Sequence, residues 1–283
     1  MAAPTPSASC CLVGPVPFND VVGAEDDDRI TPPEGYGHII STLPTIGILG
    51  RFVHHQYQGA WLLHERIPGV LSFQRRFSPR PGDVLLTSPP KCGTTWLKAM
   101  AFATMGRAAY PPTAADHPLR RLNPHECVPF IDDLFSAGHD AKLEALPSPR
   151  LLSTHMQHSL LPASLAENPN AKIVYICRYE EVLLNPVDSV IKLAQFLMVP
   201  FSAADEAVGL PADIVNLCSI KTMKGLQVNK TGASGLFYKF PHESYFRKGV
   251  TGDWVNHMTP EMAQRLDAIV EDKLYGSGLS FSS

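Results

Sequence analysis

The sequence lacks the signals of several protein classes. Its six cysteines, at positions 10, 11, 92, 127, 177 and 218, form no C-x-x-C pair, which argues against a zinc site or a disulfide scaffold. No apolar run approaches the ~18 residues that a membrane helix needs. The N-terminus has neither the basic nor the long apolar region of a secretory signal. With a net charge of −3, there is no global attraction to nucleic acid or anionic membrane. We therefore expect a cytoplasmic protein that binds neither nucleic acid nor membrane.

The composition is that of a globular protein with a substantial core. Apolar residues make up 45% of the 283 residues and charged residues 18%, which suits one large domain. Residues 1–45 are rich in proline, glycine and serine and contain the acidic stretch "AEDDD". We expect them to form an unstructured tail, followed by one domain over residues 46–283.

A phosphate-loop-like stretch lies at residues 87–100, "TSPPKCGTTWLKAM". It is not a Walker loop, because Lys91 precedes Gly93, whereas a Walker lysine follows the last glycine. The apolar run "DVLLT" before it predicts a buried strand, and the stretch from Thr94 predicts a helix. The loop amides would then lie at a helix N-terminus, where unpaired N–H groups and the helix dipole attract anions.

The later sequence alternates strand and helix patterns. Residues 171–177, "AKIVYIC", predict a second buried strand. Residues 185–198 and 259–275 predict helices, because each stretch has a capping residue before a proline and an apolar stripe at helical spacing. This alternation indicates an α/β domain.

Five segments occur in the order in which a known family has them. They are "PPKCGTTWLK" (89–98), "STHMQHSLLP" (153–162), "IVYICR" (173–178), "YEEVLLNPVDSVIKLAQFL" (179–197) and "FRKGVTGDWVNHMTPEMAQRL" (246–266). Together they resemble the cytosolic sulfotransferase family (sulfotransferase 1 type), and the C-terminal stretch is most similar to plant members. The resemblance implies a single P-loop-like α/β domain with a central parallel sheet flanked by helices.

The resemblance also implies a reaction. The family transfers a sulfuryl group from 3′-phosphoadenosine 5′-phosphosulfate (PAPS) to a hydroxyl or amine of an acceptor, and no metal is implied. Lys91 matches the cation that stabilises the leaving oxygen, and His155 matches the general base. An unperturbed imidazole has a pKa of about 6.5, so it can take a proton near neutral pH, which typically contributes ~10²–10⁴-fold.

The family's donor-binding positions carry over residue by residue. Loop amides and hydroxyls would hold the 5′-phosphate, Trp96 and Tyr179 would lie at the adenine, and an Arg-Lys-Gly block would hold the 3′-phosphate. The implied positions are Lys91, Cys92, Gly93, Thr94, Thr95, Trp96, Arg178, Tyr179, Ser219, Arg247, Lys248 and Gly249. The acceptor pocket is expected from residues 110–136, where Phe130 and Phe135 suit a phenolic or steroid-like small molecule.

Several positions depart from the family pattern. Cys92 stands where the family usually has serine, and its place beside Lys91 at a helix N-terminus predicts a stabilised, oxidation-sensitive thiolate. Ile220 stands where the family usually has an aromatic residue facing the adenine. Positions 255–260 do not match the animal-family dimer signature, so that dimer is not expected and the oligomeric state stays open.

The largest departure follows Arg178. The family has helices and a further strand between its Cys-Arg strand and its Tyr-Glu segment, but here Arg178 runs directly into Tyr179. We expect the domain to lack one family strand and helix, together with a serine that helps to hold the 3′-phosphate. Either Arg178 keeps its family position and Tyr179 is displaced, or the reverse holds.

Three functional interpretations follow. The leading one is an active sulfotransferase. The alternative is a catalytically impaired or inactive family remnant that only binds nucleotide or a partner. Lost contacts to charged groups, at ~1.5–3 kcal/mol each, would weaken donor binding by ~10²-fold or more. A third, an atypical P-loop nucleoside kinase, is disfavoured because no lysine follows the glycine.

Overall fold

Strands and helices alternate through the middle of the chain in a computed structural model, which describes residues 15–23, 29–48, 50, 52–175 and 179–278. The strands are β1 (Thr45–Ile48), β2 (Phe52–Tyr57), β3 (Ala60–Leu63), β4 (Val84–Thr87), β5 (Leu151–Thr154), β6 (Lys172–Tyr175), β7 (Ala233–Ser234) and β8 (Phe240–Pro241). The helices are α1 (Phe18–Val22), α2 (Gly37–Ile40), α3 (Ile67–Arg76), α4 (Thr94–Gly106), α5 (Pro124–Cys127), α6 (Ile131–Ala137), α7 (Ala163–Ala166), α8 (Tyr179–Leu184), α9 (Pro186–Phe196), α10 (Ala203–Ala207), α11 (Leu210–Cys218), α12 (Ile220–Gly225) and α13 (Pro260–Leu274). Within these described ranges, no helix is both long and apolar enough to cross a membrane.

A three-stranded parallel sheet in the order β5-β4-β6 forms the centre of the fold. β4 and β5 are buried throughout, whereas β6 at the sheet edge is only partly buried. Thr87 is paired with Thr154 on one side and with Tyr175 on the other. The carboxyl ends of the three strands therefore lie at one edge, which is the usual place of ligand sites in open α/β sheets.

Apolar clusters cover both faces of this sheet. Val84 and Leu86 pack into a cluster with α4, α9 and α11, whereas Leu85 packs into a second cluster with α3 and α6. This division follows from the strand geometry, in which successive side chains point to opposite faces. The predicted α/β fold with a central parallel sheet flanked by helices is confirmed.

A buried ion pair joins the amino ends of the strands β4 and β5. Arg150 precedes β5 and Asp83 precedes β4, and the Arg150 Nη2 atom lies 2.6 Å from the Asp83 Oδ2 atom. The two side chains are only 1% and 2% exposed. Arg150 also donates to the carbonyl oxygen of Ser78 at 2.9 Å. Because a buried charge without its partner is costly, this pair holds the starts of the two strands together.

The elements predicted from sequence patterns are observed with small shifts at their ends. β4, β6, α4, α9 and α13 lie where the patterns predict them. Thr259 caps α13 by accepting a hydrogen bond from the backbone N–H of Met262, whereas no side-chain cap is formed by Asn185 before α9. Positions 176 and 177 of the predicted second strand lie outside the described residues.

Part of the N-terminal segment packs against the domain. Phe18 of α1 is buried in the cluster that contains α3 and α6, and Tyr36 and Ile40 pack in a cluster with Ile67. Residues 1–14 and 24–28 lie outside the described residues. The boundary between tail and domain at residue 45 stays a prediction.

Some large apolar side chains on the C-terminal half are exposed. Leu184 at the end of α8 is 77% exposed, Met198 beyond α9 is 73% exposed, and Met262 and Leu266 on α13 are about half-exposed. Tyr175, on the edge strand β6, is also exposed. These are surfaces that a further element could cover. The absence of one family strand and helix stays a prediction.

Candidate active site

A large cavity opens at the carboxyl edge of the central sheet. Its volume is approximately 1620 Å³, which exceeds the ~300–1,000 Å³ typical of a site for one small ligand. The predicted site residues that line it are Lys91, Gly93, Thr94, Thr95, Trp96, His155, Tyr179, Ser219, Arg247, Lys248 and Gly249. Cys92 is not among the lining residues, and Arg178 lies outside the described residues. One cavity thus brings together nearly all of the predicted positions.

The loop between β4 and α4 has an unusual backbone. Lys91 and Gly93 have φ angles of 67° and 90°, in the left-handed region that favours glycine. A Cβ atom added to Gly93 would lie 2.8 Å from the ring of Tyr179, so the position also needs a small residue. No side chain caps α4 at its start, and the first N–H groups of an uncapped helix have no partner within it. The loop therefore offers backbone donors to an anion.

Buried hydrogen bonds tie this loop to the sheet. The hydroxyls of Ser88 and Thr94 lie 2.6 Å apart, and both residues are buried. The hydroxyl of Thr87 donates to the carbonyl oxygen of Met156 at 2.8 Å, which links the ends of β4 and β5. The hydroxyl of Thr94 is thus engaged inside the protein, whereas Thr95 is only partly buried and lines the cavity.

His155 is oriented by the same loop. Its Nδ1 atom lies 2.8 Å from the carbonyl oxygen of Ser88, and because a carbonyl only accepts, Nδ1 carries the hydrogen. In the neutral ring the Nε2 atom therefore has a free lone pair. The ring of Phe130 meets the imidazole edge-on, with centroids 4.7 Å apart. This arrangement suits a base with one accepting nitrogen.

Asp132 lies beside His155 and affects its pKa. The Asp132 Oδ2 atom accepts hydrogen bonds from the Thr154 hydroxyl at 2.6 Å and from the backbone N–H of His155 at 3.3 Å. Burial lowers the pKa of His155 below its usual value, and the negative charge of Asp132 partly opposes this shift. Burial also raises the pKa of Asp132. His155 is therefore neutral near pH 7 and able to accept a proton.

Two aromatic rings lie at the start of α4. Trp96 and Tyr179 meet edge-on with ring centroids 5.7 Å apart, and the Tyr179 ring also approaches Gly93. The indole Nε1 atom of Trp96 is buried and has no hydrogen-bond partner within the described part of the chain. Tyr179 thus lies at the phosphate loop, although Arg178, its neighbour in sequence, lies outside the described residues.

Arg247, Lys248 and Gly249 also line the cavity, and the two cationic side chains already form ion pairs with a carboxylate. Asp253 accepts from Lys248 at 2.6 Å and from Arg247 at 3.1 Å. Hydrogen bonds from Lys248, and further ones from neighbouring residues, hold the pKa of the Asp253 carboxyl far below its usual value. Gly249 has a φ of 65° and abuts Ile220, which stands where an aromatic residue is expected. Sequence reasoning did not predict the pairing with Asp253.

Apolar side chains also line the cavity. Phe130, from the predicted acceptor region, lines it together with residues from outside that region, such as Phe18, Trp61 and Phe240. The prediction for Phe135 is wrong, because this residue is 2% exposed and packs against the ring of Phe73 in the core. Aromatic character alone does not tell a core position from a pocket position.

Sequence reasoning also missed a buried polar group next to the loop. His125 lines the cavity and contacts Thr95 and Lys98, and Lys98 is 0% exposed. The available signal was the stretch "NPHEC", in which Asn123 and Glu126 form a capping box around His125. A lysine on the apolar stripe of a predicted helix was a second signal.

The prediction of a stabilised Cys92 thiolate is wrong. The residue is exposed, but partial burial of its sulfur and the negative charge of Glu180 raise the pKa of the thiol. Glu180 lies at the start of α8. The sequence did not reveal that this helix begins beside the loop. A reactive thiolate is therefore not favoured at this position.

Comparisons with known proteins identify relatives of this chain. The family model described as "Sulfotransferase domain" matches residues 81–178 and 177–278. Cytosolic sulfotransferase 8 of Arabidopsis thaliana is 34% identical over 309 aligned residues, which cover 85% of this chain and 91% of the relative. Cytosolic sulfotransferase 15 of the same plant is 30% identical over 349 aligned residues, which cover 98% and 96%.

Solved structures share the fold. A protein from Arabidopsis thaliana named as a candidate steroid sulphotransferase superposes with a TM-score of 0.68 and 26% identity, covering 87% of this chain and 94% of that one. Mouse sulfotransferase SULT7A1, solved with PAP, superposes with a TM-score of 0.53 and 19% identity, covering 79% and 95%. The second likeness shows the fold alone.

Proposed function

The chain belongs to the sulfotransferase domain family, and from this premise we propose that it transfers a sulfuryl group from PAPS to a hydroxyl group of a small-molecule acceptor. The observation that carries the proposal is one cavity lined by the phosphate loop, by His155 and by an apolar end. Its volume of approximately 1620 Å³ is enough for two ligands side by side, as a transfer between donor and acceptor requires.

The residues of the loop fit the inner phosphate of the donor. Gly93 has the positive φ angle that this loop requires, and the uncapped start of α4 offers N–H donors to an anion. Trp96 and Tyr179 supply aromatic faces, and base–aromatic stacking is typically worth ~1–3 kcal/mol. Ser219, Arg247 and Lys248 would hold the outer part of the nucleotide. PAP in the mouse structure supports the same donor class for this chain.

The chain's own residues then have distinct tasks. When bound, PAPS supplies the activated sulfuryl group. Lys91 places a positive charge at the loop, where it stabilises the negative charge that develops on the leaving oxygen. His155 accepts the proton of the acceptor hydroxyl at Nε2, because the Ser88 carbonyl occupies Nδ1. Positioning and charge stabilisation dominate this kind of group transfer.

The acceptor end favours an apolar molecule with a hydroxyl group. Phe18, Trp61, Phe130 and Phe240 supply apolar and aromatic surface to the cavity, and the ring of Phe130 meets the imidazole of His155. We propose a flat phenolic or steroid-like acceptor. Retinol dehydratase, which shares the fold at 14% identity and a TM-score of 0.57, was solved with androsterone. Because the Arabidopsis relatives are named cytosolic, we propose the cytoplasm as the site of action, without a membrane or nucleic-acid partner.

A second candidate is an impaired or inactive family member that only binds nucleotide or a partner. It is favoured by the family match, which divides into two parts that meet at residues 177–178. The alignment of 349 residues with one relative is also longer than the 283 residues of this chain. Both observations support an internal deletion after Arg178, and the exposed Leu184 and Met198 suit the loss of a covering element.

An assay with radiolabelled PAPS and a panel of phenolic and steroid acceptors tests the two candidates. The active enzyme is expected to label a subset of the hydroxylated acceptors, and His155→Ala is expected to abolish the labelling. Retention on a 3′,5′-bisphosphoadenosine resin without any turnover would instead support the binding-only candidate. Sequencing the transcript across codons 170–185 tests whether the deletion belongs to the natural message.

A further inference from the structure

We infer that Lys98 and His125 are positioning residues, which orient the Thr95 hydroxyl so that it donates a hydrogen bond to the 5′-phosphate of the donor. The inference rests on the proposed function, because it assigns a partner to that hydroxyl. It also predicts a property of the ligand-free protein, namely which group donates and which accepts in each hydrogen bond of a buried chain.

The chain of contacts begins inside the protein. Lys98 is 0% exposed, and its Nζ atom lies 3.1 Å from the carbonyl oxygen of Val128 and 3.1 Å from the Nδ1 atom of His125. The Nε2 atom of His125 lies 3.0 Å from the Thr95 hydroxyl oxygen. Thr95 and His125 line the cavity, whereas Lys98 does not. The contacts therefore run from the core to the wall of the site.

The chemistry of each group fixes the direction of the chain. Lys98 donates to the Val128 carbonyl and has a further hydrogen for the Nδ1 atom of His125. Burial, and next the charge of Lys98, hold the pKa of His125 well below its usual value, so the ring is neutral. With Nδ1 accepting, the single ring hydrogen is on Nε2, which donates to Thr95. The Thr95 oxygen then accepts inside, and its own hydrogen is left for an acceptor in the cavity.

This direction requires Lys98 to carry its charge, because an ammonium can only donate, whereas the lone pair of a neutral amine accepts a hydrogen from Nδ1. Burial lowers the pKa of Lys98 to about 7, although Asp133, Asp132 and Cys127 oppose the shift. The direction is therefore fixed below that pH, where Lys98 is protonated. The ring of His125 is held by stacking on Tyr245, with centroids 4.2 Å apart.

The neighbouring Thr94 has no partner that fixes the direction of its hydrogen bond. Its hydroxyl lies 2.6 Å from that of Ser88, and either hydroxyl can be the donor, whereas the contact of Thr95 with the Nε2–H group of His125 leaves the Thr95 hydrogen for another acceptor. An anion held at the start of α4 would be the natural acceptor for that hydrogen, because hydrogen bonds to charged groups are the stronger ones. Thr95 is therefore the side-chain donor of the loop, and His125 keeps it in that role.

Two variants separate positioning from packing. His125→Phe keeps the stack on Tyr245 but removes the donor, whereas His125→Gln keeps an N–H near the Nε2 position. Calorimetry would compare adenosine 3′,5′-bisphosphate with adenosine 3′-monophosphate, which lacks the 5′-phosphate. The Phe variant is expected to bind the bisphosphate about tenfold more weakly and the monophosphate unchanged, and the Gln variant is expected to retain most of the affinity. Equal losses for both nucleotides would overturn the inference.

A measurement on the free protein distinguishes this inference from the proposed function. In ¹⁵N-histidine NMR at pH 6, where Lys98 is protonated, His125 is expected as the neutral tautomer with its hydrogen on Nε2, and Lys98→Met is expected to weaken that preference. A hydrogen on Nδ1, or a charged ring, would overturn the inference. If the wild-type protein showed the expected tautomer but bound neither nucleotide, the orientation of Thr95 would stand as a structural fact, while its assignment to the donor would fall with the proposed function.

Discussion

The two halves of the proposed donor site are built in different ways. On the 5′ side, Gly93 and Thr95 lie at the start of the buried helix α4, which follows the buried strand β4, and a buried side-chain hydrogen bond joins Ser88 to Thr94. On the 3′ side, the side chains of Arg247 and Lys248 are 67% and 52% exposed, and both are paired with Asp253. Exposed ion pairs typically contribute ~0–1 kcal/mol. We therefore expect the 5′ side to supply most of the affinity and the chemistry.

The two sides also differ in where their residues lie along the sequence. The 5′ side comes from one continuous strand, loop and helix, whose pattern is complete. The 3′ side depends on segments on either side of the junction after Arg178, where the family match divides into two parts. A deletion at this junction is therefore expected to affect the 3′ side more than the 5′ side.

The largest expected effect tests whether the chemistry lies with the 5′ side. His155→Ala removes the accepting Nε2 atom and is expected to lower kcat by ~10²–10⁴-fold while the affinity for adenosine 3′,5′-bisphosphate stays the same. Initial rates with radiolabelled donor and calorimetry with the bisphosphate measure the two quantities. As a matched control, His158→Ala replaces an exposed histidine three residues away and is expected to leave both unchanged. A His155→Ala variant with the wild-type kcat would refute the assignment of the base.

The second-largest effect is expected on the stability of the two strands that support the 5′ side. Arg150→Met leaves Asp83 buried without its partner and is expected to lower the free energy of unfolding by ~3–5 kcal/mol, as measured by urea denaturation. The double variant Arg150→Met with Asp83→Leu is expected to recover much of that stability, because it removes both charges. Equal stability of the single variant and the wild type would show that the pair does not hold the two strands.

A pH profile sharpens the role assigned to His155. Burial places the pKa of His155 below 6.5, so kcat/KM is expected to be constant near pH 7 and to fall only as the pH drops below that pKa, where the ring takes up a proton. Asp132→Asn removes the charge that opposes this shift, so the acidic limb is expected to move to lower pH. Movement of the limb to higher pH would contradict the geometry.

The smallest effect is expected on the 3′ side. Arg247→Ala is expected to weaken binding of adenosine 3′,5′-bisphosphate by about fivefold or less, because its contacts are exposed, and to leave binding of adenosine 5′-monophosphate unchanged. Asp253→Asn releases both cations and is expected to keep or raise the preference for the bisphosphate. A 100-fold loss of affinity for the bisphosphate in Arg247→Ala would contradict the proposed difference between the two sides.

The sequence predicted what depends on local patterns. β4 and α4 follow from the apolar run before the loop and from the helical pattern after it, and both are observed. The positive φ of Gly93 is a finding of the structure. His155 was assigned by resemblance, and the structure adds the Ser88 carbonyl that fixes its tautomer.

What the sequence did not predict depends on how the chain turns and packs. Asp253 pairs with Arg247 across a turn that contains Gly252, whose φ is 75°, and Glu180 raises the pKa of Cys92 because α8 begins at the loop. Phe135 was misplaced because an aromatic side chain suits a core as well as a pocket. Such facts come from packing, which periodicity does not encode.

The most direct test is calorimetric titration of the wild-type chain with adenosine 3′,5′-bisphosphate, together with adenosine 3′-monophosphate and adenosine 5′-monophosphate. We predict that the bisphosphate binds and that removal of its 5′-phosphate weakens binding more than removal of its 3′-phosphate. A folded protein that binds none of the three, or one in which the 3′-phosphate contributes more than the 5′-phosphate, would contradict the account.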